Sequence, residues 1–315
     1  MSQLSFLAVG QGKKRLKCER FLEEMSQVIP WQRLCALIEP YYVGRSGIGR
    51  RAKELELMLK VHCLQQWYQL SDPGMEEAIY DRNSFQKFLR LDLISEAVPD
   101  ETTILHFRHL LERHDLSKRV FEEIRGYLVE RGLLMKAGTI VDATLIAAPT
   151  STKNETNARD SEMSSTKKGN EWYFGMKSHI GVDVHSALVH TMEATTAKVH
   201  DKAKLGDLQH GEEKSLFGDK GYYDEGLKRT HRASGLFWGI LDRAKRGHGL
   251  SSSQQQRNRK LASVRAKVEH PFQVIKCQWK YVKTRYRGLR KNTGQLYMLF
   301  ALYNLYRVRR QLLMA

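Results

Sequence analysis

Residues 138–149, GTIVDATLIAAP, decide the fold, because the grammar of the chain changes there. The run is β-branched and apolar, ends at Pro149, and has the length of a buried strand. Asp142 stands inside it. An unpartnered carboxylate among such neighbours costs several kcal/mol, so something must compensate it, and a divalent cation is one candidate.

On the C-terminal side, TSTKNETNARDSEMSSTKKGN (150–170) is polar and breaker-rich and reads as a loop. WYFGMKSHIGVDV (172–184) and ALVHTMEATTAK (187–198) read as two strands joined by a tight turn at His185-Ser186. HDKAKLGDLQHGEE (200–213) is expected as a helix and SLFGDKGYY (215–223) as a fourth strand with its turn. DEGLKRTHRASG (224–235) reads as a helix, LFWGILDR (236–243) as a fifth strand, and residues 254–280 as mainly helical. Three strands, helix, strand, helix, strand, helix is the order an RNase H-like fold shows: an α/β core with a mixed five-stranded sheet and flanking helices.

On the N-terminal side the period is helical. CERFLEEMSQVIPWQRLCALIEPYY (18–42) is amphipathic and leads into GRSGIGRR (44–51), a loop rich in glycine and arginine that suits phosphate; together they read as an arm over residues 1–52. KELELMLKVHCLQQWYQL (53–70) has helical apolar recurrence, and Ser71-Asp72-Pro73 stops it and caps the next helix, MEEAIYDRNSFQKFLRL (75–91). Asp100-Glu101-Thr102-Thr103 opens ILHFRHLLERH, and SKRVFEEIRGYLVERG (117–132) follows. Residues 53–135 are thus expected to be an all-helical DNA-binding domain of helix-turn-helix type, with a helical packing or dimerisation domain fitting the pattern nearly as well. Residues 136–290 would then form the catalytic core and 291–315 a C-terminal helix.

The net charge of +17 is unevenly placed. From Arg243 onward there are 18 lysines and arginines against one acid, Glu269, while the residues before it carry 34 of each sign. Such a field attracts polyanions and makes their binding fall steeply with salt. A solvated basic face or a tail on anionic lipid is the plainer reading. Aromatic and apolar residues interleave with these charges, however, as folded structure requires, and nucleic acid is the expected partner. No apolar run is long enough for a membrane span, and the order of apolar and basic residues at the N-terminus is not that of a secretory signal. A cytoplasmic, nucleoid-associated protein is expected. Cys18, Cys35, Cys63 and Cys277 have no metal-ligand spacing and read as buried thiols, and His106 and His109 form an HxxH pair with no second pair at zinc spacing.

Asp219 ends the fourth strand between Gly218 and Gly221, which allow a sharp turn and close approach. Strand carboxyl ends are where α/β sheets form sites. If the first and fourth strands are neighbours, Asp142 and Asp219 meet. Glu269 would share a helix face with Arg265 and Lys276, both within roughly 40° of its direction. Asp142, Asp219 and Glu269 could hold two hard cations for an in-line phosphoryl displacement, with the two basic side chains gripping the strand. Taken singly, each has a plainer reading as a turn, cap or surface ion pair. Asp183, Asp207, Asp224 and Asp242 have local explanations, Asp183 being the best substitute.

VDATLIAAP, WYFGMKSHIGVD, FGDKGYYDE and the RxxxExxxxxxK helix strongly resemble the bacterial insertion-sequence transposases of the IS-five group, within the IS-four-like DDE superfamily. LQQWYQLSDPGMEEAIYD and PDETTILHFRHLLE resemble that group's N-terminal domain, so the resemblance spans nearly the whole chain. It implies an RNase H-like core and a catalytic, metal-binding triad carried over to Asp142, Asp219 and Glu269, with two Mg2+ ions (or Mn2+). It implies cleavage at terminal inverted repeats, strand transfer to target DNA, and a homodimer when two ends are paired. DNA contacts are expected from Arg265, Lys276, Lys177, His179, Lys220 and Tyr222. The group's signature places a tyrosine three residues before its arginine, where this chain has Ala262. Two other functions fit the same residues: a non-cleaving repressor of its own element, and a nuclease without strand transfer.

Overall fold

The computed structural model describes residues 15–42, 52–135, 137–155, 157–244 and 247–314. The Gly/Arg-rich loop at 44–51 lies outside them.

The N-terminal half is helical as expected, in shorter pieces. Residues 18–42 form two helices, α1 (Lys17–Val28) and α2 (Trp31–Ile38). Pro30 follows an extended Ile29, which breaks the run. α3 (Leu55–Tyr68) ends where Gln69 adopts the left-handed conformation. Ser71 then caps α4 (Asp72–Asp81) by accepting from Gly74 N, with Pro73 in the first turn. An extended Arg82 separates α4 from α5 (Asn83–Leu89). Asp100 caps α6 (Glu101–Arg113) through Thr103 N, and α7 (Leu116–Glu130) follows.

Strands β1 (Thr139–Ala147), β2 (Ser164–Lys168), β3 (Glu171–Asp183), β4 (Val189–Thr196), β5 (Ser215–Gly218) and β6 (Phe237–Ile240) form one mixed sheet. β3 is antiparallel to β1, β2 and β4. β5 is parallel to both β1 and β6. Without β2, the order β4-β3-β1-β5-β6 is the RNase H-like arrangement. β2 is a correction: the segment 150–170 is not loop throughout, because its last residues fold back on the start of β3. It was hidden because most of its side chains face solvent, so no apolar alternation marks it. A second correction concerns residues 200–213. They form a short 3-10 turn, Asp201–Lys204, and then irregular chain rather than an α-helix.

Past β5 come a 3-10 turn at Lys220–Tyr222, α8 (Glu225–Ala233), β6, and α9 (Ser252–Arg265). The expected long helix after α9 changes pitch twice. A 3-10 turn spans Ala266–Val268, α10 covers Glu269–Gln273 around Pro271, and a π-helical turn spans Val274–Gln278. The closing helix α11 (Leu289–Met314) is buried along much of its length. One apolar cluster runs from Leu22, Met25, Leu34 and Ile38 of α1 and α2, through α11, to Ile140, Ile146, Ile180 and Met192 on one face of the sheet. A smaller cluster, with Val141, Leu205, Leu216, Tyr222 and Trp238, covers the other face. Of the cysteines Cys63 is buried, Cys18 and Cys35 partly so, and Cys277 is exposed, so the reading of all four as buried does not hold.

Candidate active site

β1 and β5 are neighbours, and their register decides the geometry. Ile140 pairs with Phe217, so Asp142 and Asp219 stand two residues further along adjacent parallel strands, at the carboxyl end of β5. The Asp219 side chain accepts from Gly221 N at 2.7 Å and caps the 3-10 turn. Neither Gly218 nor Gly221 uses a left-handed φ. Both are needed for close approach instead. A Cβ at Gly221 would lie 2.8 Å from Asp219 Oδ1, and one at Gly218 would meet Ile240 Cδ1 at 2.8 Å and Val141 Cγ2 at 3.0 Å.

Asp142 is one-fifth exposed. Burial pushes its pKa up to about 6; a bond from Ala143 N and the charge of Arg265 pull the other way, and the negative charges of Asp219 and Asp201 add to the rise. Arg265, at the end of α9, reaches both remaining members of the expected triad. Its guanidinium lies 3.5 Å from Asp142 Oδ2 and donates to Glu269 Oε1 at 2.8 Å. Arg265 and Glu269 therefore share a face, as their spacing predicts. Lys276 does not join them. Lys276 lies within the π-helical turn, and its ammonium donates to Thr144 Oγ1 at 2.6 Å and Leu145 O at 2.5 Å, bracing this segment against β1. Burial lowers its pKa to about 8 and the like charge of Lys168 contributes.

Three of the expected DNA contacts are corrected by register and burial. Paired residues in neighbouring strands share a sheet face. His179 pairs with Ala143 and Lys177 with Leu145, which puts both on the face opposite Asp142. His179 is fully buried and bonds to Thr195, and Tyr222 is fully buried in the smaller cluster. Lys177 is held by Val199 O at 2.7 Å and Asp201 Oδ1 at 2.9 Å. Lys220 is exposed beside Asp219.

Asp201 is the acid that sequence reasoning missed. Besides holding Lys177, it lies 4.0 Å from His179 Nδ1, and its charge is felt at Asp142 and Tyr222. Read as a helix, residues 200–213 give Asp201 no special place; the chain instead turns just past β4 and brings Asp201 to the Lys177 ammonium. The comparison acids do have local work. Asp183 closes the β3–β4 turn by accepting from His185 N, Ser186 N and Ser186 Oγ. Asp207 pairs with Lys204, Asp224 caps α8, and Asp242 pairs with Arg257.

Against this geometry, the family described as "Transposase DDE domain" matches residues 134–305, more than half of the chain. The chain belongs to the DDE transposase family. A second family, described as a transposase domain, matches residues 11–110, so α1 to α5 and most of α6 of this transposase fall within a transposase family as well. Two solved structures are similar at a distance. The piggyBac transposase synaptic complex with hairpin DNA is 11% identical, with 94% of this chain and 75% of that chain covered, at a TM-score of 0.41. The Mos1 strand transfer complex is 12% identical, with 78% and 82% covered, at a TM-score of 0.20. The RNase H-like assignment rests on the sheet order and the family match, not on these two. No helix among the described residues is long and apolar enough to cross a membrane.

Members of this family generally use divalent metal ions. Asp142, within β1, and Asp219, just past the end of β5, offer hard carboxylate oxygens at the same level of adjacent strands, and the raised pKa of Asp142 marks a carboxylate short of compensation, which fits an oxygen-preferring cation. Among the described residues no three His, Cys, Asp or Glu side chains are gathered closely enough to hold one ion. Glu269 is drawn off by Arg265, and its side chain, 61% exposed, is free to turn.

Proposed function

We propose that this transposase serves a bacterial insertion sequence of the IS-five group. It binds the terminal inverted repeats, cleaves at them and joins them to target DNA as a homodimer, with Asp142, Asp219 and Glu269 as the catalytic triad. The observation that carries the reading is the equivalent position of Asp142 and Asp219 on adjacent parallel strands, with Glu269 linked to Asp142 through one guanidinium.

Asp142, Asp219 and Glu269 are the residues that would hold Mg2+ or Mn2+. Bound there, two such ions would make a water or 3′-hydroxyl nucleophilic and stabilise the leaving oxygen. The protein's own part is positional. The parallel register fixes the two aspartates side by side, and Gly221 lets the Asp219 carboxylate lock onto its own turn. Arg265 neutralises the acids until Glu269 turns inward, and its planar fork then suits a phosphate oxygen pair. Lys276 keeps the Glu269 helix seated on β1, and exposed Lys220 lies at the mouth beside Asp219.

The test is joining. Purified protein, a duplex ending in the element's own pre-cleaved terminus, a target plasmid and Mg2+ are expected to give joined product. Asp142→Ala, Asp219→Ala and Glu269→Ala are each expected to lower joining at least a thousandfold while gel-shift binding of the terminus is kept. Joining retained in Asp142→Ala sinks the mechanism; nicking without joining makes the protein a nuclease, and binding without nicking a repressor.

A further inference from the structure

The β2–β3 hairpin has no part in the chemistry above. Its turn is tight: Gly169 takes a φ of +63°, the left-handed conformation that a two-residue hairpin turn needs at its first position. Lys167 pairs with Trp172, and Lys168 with Glu171, across the turn. Trp172 is 71% exposed, so the hairpin presents a large, rigid aromatic face to solvent near its tip. Lys167 is exposed on the same face as Trp172, and Lys168 is exposed on the other face of the ribbon beside Glu171.

Register tells which way this ribbon faces. Ile180 pairs with Asp142, Ser178 with Thr144 and Met176 with Ile146, and alternation along β3 carries the same side through Phe174 to Trp172. Trp172 is therefore on the Asp142 side of the sheet. Eight residues separate it from the level of Asp142, or ~26 Å at the rise of a strand. Two further features converge on the space between. Lys276 is near enough to Lys168 for the two charges to act on one another. Lys283, exposed, bridges to Ala147, whose partner across the sheet is Gly175 at the hairpin's base. The base itself is pinned to the start of α11, where Gly288 N donates to Asp160 at 2.7 Å and Leu289 N to Glu162 at 2.5 Å. An anchored basic ribbon with an aromatic tip fits a polyanion carrying flat apolar rings.

We infer that the β2–β3 hairpin is a DNA-docking element that grips duplex roughly eight base pairs from the strand held at Asp142, with Lys167 on a phosphate beside Trp172, Trp172 against a sugar or base, and Lys168 reaching a phosphate from the other face of the ribbon. The inference rests on the transposase reading. The span follows from ~26 Å divided by the 3.4 Å step between base pairs. A second copy of the chain is the competing occupant, and the hairpin's charge favours DNA over a protein that is itself strongly basic.

The test is equilibrium binding of the full chain to a labelled 30-base-pair duplex over a series of KCl concentrations. Lys167→Ala/Lys168→Ala is expected to reduce the slope of log affinity against log salt by about two. Trp172→Ala is expected to weaken binding about tenfold with the slope kept, and Trp172→Phe to recover most of that loss. Thermal unfolding of each variant should match wild type, since these side chains are exposed; if Trp172→Ala melts early, the lysine variant alone decides. Wild-type affinity and slope in all the variants overturn the inference and leave the transposase standing. Variants that change only the sedimentation of the protein also overturn it, in favour of a second copy. Failure of wild type to bind duplex at any salt overturns the function beneath it.

Discussion

Asp142 stores a cost that can be measured. Its ordinary pKa is 3.8 and burial raises it to about 6. Below the ordinary value the carboxyl is protonated in both folded and unfolded chains and costs nothing. As pH rises toward 6 the unfolded chain ionises first, so the fold loses stability, and the full penalty holds above 6. The shift corresponds to about 1–3 kcal/mol after allowance for partial exposure. Asp142→Asn is therefore expected to raise the urea midpoint at pH 7.5 in chelator and to leave it unchanged near pH 4. Millimolar Mg2+ or Mn2+ should then raise the wild-type midpoint and not the variant's. A variant less stable than wild type at pH 7.5 would mean that Arg265 and Ala143 N already compensate the charge. The cost was legible in sequence, from one acid in an apolar strand. Arg265 as the link between Asp142 and Glu269 was legible only in half: helical spacing gives its pairing with Glu269, but no spacing says that β1 lies beneath. Lys177 and His179 were misread for a related reason. Their motif says that they matter, and only the pairing partner on β1 says which face they take.

At the scale of elements, the junction of β1, β5 and β6 separates folding from positioning within four residues. Gly218 is packed against Ile240 and Val141, whereas Gly221 touches only the Asp219 carboxylate. A methyl group at Gly218 overpacks a core, which costs about 1–3 kcal/mol. One at Gly221 meets a side chain that can rotate away, taking the carboxylate with it. Gly218→Ala is thus expected to lower the melting temperature by several degrees, while Gly221→Ala melts like wild type and loses at least tenfold in strand joining. Equal melting of the two variants would contradict this division of labour. The strands here were legible because they are buried on both faces and read as apolar runs. β2 was not, because a two-stranded ribbon standing clear of the core has nothing to bury. The 3-10 turn at Asp201 was not, because short polar helices and turns share composition. The change of pitch around Pro271 displaced Lys276 from the face that ideal helical geometry gave it.

For the whole molecule, α11 ties the helical half to the sheet. Asn304 is fully buried in it, with Oδ1 accepting from Val189 N at 2.8 Å and Nδ2 donating to Val189 O at 2.7 Å, so one side chain completes the edge of β4. Tyr303 and Tyr297 donate to Ala187 O and Met192 O on the same segment. The opposite side of α11 meets α1, α3 and α7. Part of the C-terminal charge is used in the same joining: Arg309 pairs with Glu24 of α1 and Arg290 with Asp115 before α7. The basic excess thus has two destinations, acids of the N-terminal half and the outer surface, which charge counting alone does not separate. Asn304→Leu keeps the branched outline of the side chain and removes both bonds, leaving a buried N–H and a buried C=O unpartnered, and about 2–4 kcal/mol of stability should be lost. Because one apolar cluster includes both halves, helix content followed by circular dichroism and tryptophan fluorescence should fall together in urea, in wild type and in Asn304→Leu alike. Two separated transitions, with only the sheet's transition moved by the substitution, would show that the helical half folds independently and that α11 belongs to one side alone.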